Sequence, residues 1–524
     1  MNALISVADL LEHGAQRWPR HVAYADGGGT MTYEALARAV RHAAATLASR
    51  GARPGDRIAI YAPKRIETVV AMLAASALGA IFVPVNPQLK EAQIEHIVAD
   101  CGAALFVTGA QRLKRLPALV ALIGARALLI EELAEAIAVP ADAPLPAAAG
   151  RPVDDDPAAL LYTSGSTGKP KGVVVSHRNL VSGAFSVAAY QRLADDDVVL
   201  GVLPLSFDAG LSQLTTALAS GACYTPLDFL QPAEVVRHCD AFGVTSITGV
   251  PPLWMQLVSV GWSDDARARI RRFANTGGHL ATPLLHRLQA LFTNASPYLM
   301  YGLTEAFRST YLPPADAALR PTSIGKAVPN AEILVLRADG SECAPDEPGE
   351  LVHRGAFVTL GYWNRPELTA QRFRALPRRH GEIPRADVAV WSGDIVRRDA
   401  DGYLYFVARG DDMIKTSGYR VSPTEIEDVL FALPHVREAA VFGVPHPALG
   451  EAIAACVVST LDADACRADI AQACRHALPT YMSPLVVEVL PALPRNPNGK
   501  IDRPALKDRH RDAFARTNLE ETAA

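Results

Sequence analysis

The chain has 524 residues, with 51 Lys and Arg against 55 Asp and Glu, a formal net charge of −4. That length exceeds what one ordinary hydrophobic core serves, so at least two domains are expected, and the near-balanced charge gives no electrostatic case for nucleic acid as a partner. Seven cysteines are scattered with no C-x-x-C pair, which argues against a disulfide framework or a zinc site and fits a reducing cytoplasm. The N-terminal twenty residues carry acidic groups early and lack a basic segment before an apolar run, so they do not read as a signal peptide. Tyr33 to Arg50 predicts an Ala-rich helix ended by Gly51, and Asp56 to Tyr61 a short strand. Thr68 to Val85 is the longest apolar stretch. Gly79 and Pro84 break it, predicting a buried helix followed by a strand and no integral membrane segment. From Val7 to Val139 the alternation is that of an α/β fold, and the Pro/Ala-rich run from 139 to 153 reads as a surface linker.

Leu161 to Leu180 organises the chain: a strand, a loop, a second strand and a helix start. In the loop, Thr163, Ser164, Ser166 and Thr167 offer hydroxyl donors, Gly165 and Gly168 let backbone N–H groups approach an anion, and Lys169 and Lys171 add positive charge. Together they point to a phosphate-rich ligand. The segment is not a Walker A loop, because threonine stands where the first glycine belongs and Pro170 follows Lys169. A solvated Ser/Gly linker is the alternative, but the apolar runs Ala158 to Tyr162 and Gly172 to Val175 enclose it.

A second α/β series follows, with strands at Val198 to Leu203, Thr245 to Val250 and Arg271 to Thr276. From about Gly325 the texture changes to hairpins: Ala331 to Leu336, a turn at Asp339-Gly340, Glu350 to Arg354 and Gly361 to Trp363, suggesting a small β-barrel-like subdomain. After Arg409-Gly410-Asp411 the remaining chain resumes mixed α and β, enough for a small α+β domain. The expected division is 1–410 and 411–524.

Five motifs occur in order: TSGSTGKPKG at 163–172, YGLTE at 301–305, SGD at 392–394, GYLYFVARGDDMIKTSGYRVSPTEIE at 402–427 and PRNPNGKIDR at 494–503. In this the sequence resembles the AMP-forming adenylating enzymes: acyl-CoA synthetases, nonribosomal adenylation domains and firefly luciferase. The resemblance implies a ligase that converts a carboxylic acid and ATP to acyl-adenylate and pyrophosphate, then passes the acyl group to a thiol. It implies a large N-terminal domain of two α/β subdomains and the barrel-like one, followed by a small mobile C-terminal domain.

The same resemblance assigns roles. The 163–172 loop would hold the β- and γ-phosphates that leave as pyrophosphate. Tyr301 would stack on adenine beside Gly302, Gly277 and Gly278, Thr304 would touch the α-phosphate, and Glu305 would hold Mg²⁺, which takes few carboxylates plus phosphate oxygens. Asp394 would accept from the ribose hydroxyls, and Arg409 would contact the ribose and phosphate region. Asp411 would be the hinge. Lys500, in a Pro/Asn/Gly-rich turn, would bridge the substrate carboxylate and the α-phosphate. Gly418, Tyr419 and Arg420 would help form the thiol channel.

For the acid itself, Phe207, Asp208, Met300, Arg308 and Ser309 are the pocket candidates. Asp208 stands where acyl-CoA synthetases commonly have histidine and where adenylation domains and D-alanine ligases have an aspartate that pairs with the substrate ammonium. It could equally be the N-cap of the helical run Ala209 to Ala219. Arg308 could pair with an anionic group of the acid or brace a loop. Together they tilt the reading toward a polar acid, an amino-bearing one included, over a long fatty acid. The segment Glu305 to Pro314 also resembles the acyl-CoA ligases of exosortase A systems. No carrier domain is evident after Lys500, so the thiol is expected from coenzyme A or the phosphopantetheine of a separate acyl carrier protein. A stand-alone amino-acid adenylation enzyme, a non-catalytic nucleotide sensor and a luciferase-like oxidase are the alternatives.

Overall fold

The computed structural model describes residues 4–140, 143–144, 146, 152–163, 170–376, 387–409, 412–416, 419–446, 449–478, 480–496 and 499–514. The chain divides into two compact units. The larger takes Met1–Leu280, His286–Ile333 and Val352–Trp391, and the smaller takes Ala281–Leu285, Leu334–Leu351 and Ser392–Ala524. The division falls within the strands Ala331–Leu336, Gly349–Gly355 and Val388–Arg398.

In the larger unit, one sheet runs Ala127–Leu129, Leu105–Thr108, Arg57–Tyr61, Ile81–Pro84, Pro157–Thr163 and Lys171–Ser176. Its strands are parallel until the last pair, which forms an antiparallel hairpin. A second sheet in the same unit contains parallel strands Arg272–Asn275, Ser296–Tyr301, Ser246–Gly249, Val198–Gly201 and Cys223–Pro226. This is the α/β grammar read from the sequence. The apolar stretch after Thr68 is helix Ile66–Leu78, ended by Gly79 at φ 75°, and then strand Ile81–Pro84. Val69 to Ala75 are buried all round, the pattern of a core helix rather than a surface one. No helix among the described residues is long and apolar enough to cross a membrane.

The smaller unit has its own α+β layer. Val436–His446 and Gly450–Ser459 form a long antiparallel hairpin, and Val486–Val489 lies parallel to the second of these strands, with Cys456 opposite Glu488. Side chains of a strand alternate between faces. Accordingly Val441, Ile453, Ala455 and Val457 pack under helices Pro423–Phe431 and Ala463–Ala477, while Phe442, Val444, Ala454 and Cys456 pack with Leu493 and Leu506 on the other face.

One sequence expectation needs correction. Gly361 to Trp363 is not a hairpin strand of the segment after Gly325: it lies antiparallel along Lys171–Ser176, through a bridge between Val173 and Tyr362. The run is too short to bury a face of its own, so the open edge of the glycine-loop hairpin supplies its hydrogen-bond partners.

Candidate active site

The hairpin that carries the loop is held by burial. Ala158 to Leu161 and Val173 to Val175 are all buried, and the register pairs Thr163 with Lys171 and Tyr162 with Gly172. A Cβ at Gly172 would lie 3.1 Å from the Tyr162 ring, so glycine permits the close pairing at the mouth of the loop. Ser164, Gly165, Ser166, Thr167, Gly168 and Lys169 lie outside the described residues. The strand after the loop continues into helix His177–Gln191 through Ser176, whose side chain accepts from Asn179 N while Asn179 bonds back, a reciprocal capping box.

Segment 360–363 brings a third group to this edge. Leu360 N donates to Val174 O at 2.9 Å, Val174 N to Gly361 O at 2.8 Å and Trp363 N to Gly172 O at 2.8 Å. Tyr362 thereby lies beside Lys171, whose Nζ is 3.8 Å from the centre of its ring. The Tyr362 hydroxyl donates to Glu305 Oε1 at 2.5 Å, and Lys171 Nζ is 3.5 Å from the same oxygen. Burial, then the carboxylate it faces, push the Tyr362 phenol well above its ordinary range, so it remains a donor. Glu305 is 8% exposed. Its backbone oxygen accepts from both N and Oγ1 of Thr359 at 3.0 Å, which fixes its short 3-10 turn, Thr304–Ala306.

Tyr301 ends strand Ser296–Tyr301, and Gly302 and Thr304 follow at its C-terminal end. The adjacent parallel strand Arg272–Asn275 leads to Gly277, at φ 73°, and Gly278, whose backbone oxygen accepts from Asn275 Nδ2 at 2.9 Å. Both predicted nucleotide loops therefore leave neighbouring strands at their carboxyl ends, where open α/β sheets bind ligands. Beyond Glu305 the chain reverses at Phe307, φ 51° and ψ −64°, a γ-turn geometry rare for a side-chain-bearing residue. Its fully buried ring sits against Gly183, where a Cβ would come within 2.5 Å of it.

That reversal delivers Arg308 to the interior, 2% exposed, with Nη1 3.4 Å from Asp208 Oδ2. Asp208 is the first residue of helix Asp208–Ser220; Phe207 is its N-cap and makes no side-chain cap bond. The capping alternative for Asp208 therefore fails, and the two candidate residues face each other. Arg308 and Met300 line a small internal cavity with Gln191, Ser212, Gln213 and Thr216. Its free space, about 10 Å³, is room for about one water. Ser309 Oγ lies 2.9 Å from Nδ1 of His353, a fully buried imidazole that burial pushes down to about 3 and thus keeps neutral.

The remaining predicted residues belong to the smaller unit. Asp394 and Arg409 are register partners on strands Val388–Arg398 and Leu404–Arg409. Asp394 is buried, its backbone N donating to Ser392 Oγ at 3.0 Å. Lys500 is exposed in a turn closed by Asn496 N to Lys500 O at 2.8 Å and Lys500 N to Asn496 Oδ1 at 3.1 Å. Tyr419 and Arg420 lie on the short strand Tyr419–Val421 paired with Ile414–Thr416. Asp411 and Gly418 lie outside the described residues. Sequence reading missed Tyr362 and His353 as site components; Gly361-Tyr362-Trp363 stood out only as a strand-like aromatic run.

Comparison with known proteins identifies the family. The AMP-binding enzyme family matches residues 11–363, and the AMP-binding enzyme C-terminal domain matches 425–500. The chain is 32% identical to a feruloyl-CoA synthase of Amycolatopsis sp, covering 93% of this chain and 95% of the relative. It is 33% identical to the L-proline--[L-prolyl-carrier protein] ligase of Pseudomonas fluorescens, covering 94% and 97%. It is 31% identical to surfactin synthase subunit 2 of Bacillus subtilis over 95% of its own length, but spans only 14% of that protein. ATP-bound MatB from Rhodopseudomonas palustris superposes with a TM-score of 0.85 at 27% identity, covering 97% of this chain and 99% of that one. The O-succinylbenzoate coenzyme A synthetase MenE of Bacillus subtilis, in complex with ATP and magnesium ion, does so with a TM-score of 0.81 at 28% identity, covering 95% and 99%. The chain belongs to the AMP-binding enzyme family.

Proposed function

We propose that the protein is an ATP-dependent acid–thiol ligase acting on a small polar carboxylic acid. The carrying observation is the convergence of Lys171, Tyr362 and the buried Glu305 carboxylate beside the hairpin from which the 164–169 loop departs. In the first half-reaction the acid's carboxylate oxygen attacks the α-phosphorus of ATP, the bond to the β-phosphate breaks and pyrophosphate leaves. In the second the thiol sulfur attacks the acyl carbon, AMP departs and the thiol proton is released.

Glu305 suits Mg²⁺, being a single carboxylate where the remaining ligands would be phosphate oxygens and water; the ion, when bound, neutralises phosphate charge. Thr163 to Gly172 hold the β- and γ-phosphates through hydroxyls, backbone N–H groups and Lys171. Tyr301, Gly302, Gly277 and Gly278 cradle the adenine, Thr304 contacts the α-phosphate, and Asp394 and Arg409 hold the ribose and phosphate region. Lys500 aligns the acid and stabilises the developing charge. The small domain, 411–524, turns about Asp411 between half-reactions, withdrawing Lys500 and presenting Gly418, Tyr419 and Arg420 to the thiol.

The buried Arg308, paired with Asp208, supports a small polar acid over a long fatty chain, with Phe207, Met300 and Ser309 as the other candidates for its pocket. A second reading, an amino acid loaded onto a separate carrier protein, is favoured by Asp208, a carboxylate without a capping role. Cytoplasmic ATP and reduced thiols suit either reading. Pyrophosphate release across fatty, aryl, amino and dicarboxylic acids tests the proposal: small polar acids should be the best substrates. Preference for unsubstituted fatty acids would overturn the substrate assignment. ATP binding with no pyrophosphate release on the whole panel would instead support a nucleotide sensor.

A further inference from the structure

The face of the small unit's sheet that carries Phe442, Ala454 and Cys456 gathers three metal-ligating side chains that the proposed ligase chemistry does not use. Parallel pairing puts Cys456 directly opposite Glu488, so their side chains emerge side by side on the same face of the sheet. The helix Arg503–Arg509 covers that face, with Leu506 packed in its core, and His510 follows at the helix end. Cys456 Sγ lies 3.9 Å from His510 Nε2 and 4.0 Å from Glu488 Oε2, and Nε2 and Oε2 are 2.9 Å apart.

We propose that Cys456, Glu488 and His510 form a binding site for a borderline-soft divalent cation of the zinc class, which ties the helix Arg503–Arg509 to the sheet. Thiolate, imidazole and carboxylate are each zinc ligands, with bonds of about 2.3 Å to sulfur and about 2.0–2.2 Å to nitrogen or oxygen; tetrahedral angles then space neighbouring donors about 3.3–3.6 Å apart. The thiol must close in by a few tenths of an ångström, and the imidazole and carboxylate must part by about half an ångström. Such shifts are within the reach of side-chain rotation.

The surrounding bonds orient the donors. His510 Nδ1 is 2.9 Å from Leu506 O; a carbonyl only accepts, so Nδ1 carries the proton and Nε2 faces Cys456 and Glu488. Arg509 Nε donates to Glu488 Oε2 at 3.1 Å and Nη2 binds Oε1, so the guanidinium fixes the carboxylate through both oxygens, including the one that faces Cys456 and His510. Outer partners of this kind align first ligands in protein metal centres. Cys456 is fully buried and His510 is 9% exposed, whereas the Glu488 side chain is 28% exposed, leaving its side for a water as fourth ligand. In the metal-free protein a proton between Nε2 and Oε2 would make an ordinary ion pair. Binding a cation displaces that proton and the thiol proton, as ligation requires deprotonated donors.

The test uses the full chain, reduced, stripped with chelator and titrated with Co²⁺ alone. We expect one equivalent to bind, with a near-ultraviolet thiolate-to-cobalt band and tetrahedral visible bands, both bleached by Zn²⁺. Cys456→Ser should abolish the near-ultraviolet band, and His510→Gln and Glu488→Gln should each weaken binding about 10–100-fold. Zn²⁺ should raise the Tm of the parent and not that of His510→Gln. If Cys456→Ser does not fold by circular dichroism, the two glutamine variants decide. Absence of a saturable cobalt band up to about 100 µM metal, or a band undiminished in both glutamine variants, would overturn the site and leave an ion pair beside a buried thiol.

Discussion

The Tyr362 hydroxyl offers the sharpest test of the proposed catalytic cluster. Tyr362→Phe removes one hydrogen bond, 2.5 Å to Glu305 Oε1, and keeps the ring under Lys171. A hydrogen bond to a charged group contributes about 1.5–3 kcal/mol, whereas the retained cation–π contact keeps its own contribution of about 0.5–2 kcal/mol. At about 1.4 kcal/mol per factor of ten, kcat/KM for MgATP in acid-dependent ATP–pyrophosphate exchange should fall about 10–100-fold. The loss should be accompanied by a higher Mg²⁺ requirement, because among the described residues Glu305 is then held by Lys171 and its own backbone. Glu305→Gln and the double variant complete a cycle. If Tyr362 acts by positioning Glu305, the double variant should be scarcely slower than Glu305→Gln. Effects that add to within about 0.5 kcal/mol would show that the two residues act separately and would refute the reasoning.

Other outcomes follow from the same structure. Lys500→Ala should abolish acid-dependent ATP–pyrophosphate exchange and largely spare thiol transfer from a supplied acyl-adenylate; equal loss of both half-reactions would end the proposed division of labour. Asp208→Ala should selectively weaken activation of amino-bearing acids, and an unchanged substrate ranking across the acid panel would remove Asp208 from recognition. Acid should destabilise the fold before carboxylates titrate. Burial lowers His177 to about 4 and His353 to about 3, against about 6.5 in the unfolded chain. The unfolded state thus binds more protons, so stability present above pH about 6.5 falls, as pH drops, by up to about 1.4 kcal/mol per pH unit for each histidine until its folded value is reached. Urea unfolding of His177→Asn between pH 6.5 and 4.5 should show a shallower loss than the parent; an equal slope would exclude His177 as a source.

What could be read from the chain alone was whatever is local in sequence. The strand, loop, strand and helix start between Pro157 and Gln191 follow from contiguous apolar runs and a Ser-x-x-Asn cap, and Gly79 closes its helix where the pattern changes. The contacts that complete the sites are of another kind. Tyr362 reaches Glu305 only because 360–363 adds to a strand nearly two hundred residues earlier. Asp208 meets Arg308 across a separation of 100 residues, so each looked like an independent pocket residue. A search for paired cysteines likewise overlooks Cys456, Glu488 and His510, which strand register and a helix end bring together. Periodicity reports which face of an element is apolar; it carries no record of which distant edge that element will meet.

The strained reversal at Phe307 has a consequence for how such an enzyme changes its diet. Glu305 and Arg308 are separated by two residues, and one of them is locked by its ring against Gly183. With the roles proposed for Arg308 and Glu305, acid recognition and nucleotide binding would be adjoining cogs on one short, stiff spindle, with no slack to let one turn alone. A descendant that swaps Arg308 to admit a new acid would pass the disturbance directly to Glu305 and lose turnover as well as affinity. Substrate drift should therefore proceed more readily through other lining residues, Gln191, Ser212 or Gln213, which stand on the helices His177–Gln191 and Asp208–Ser220 and not on the Glu305 turn.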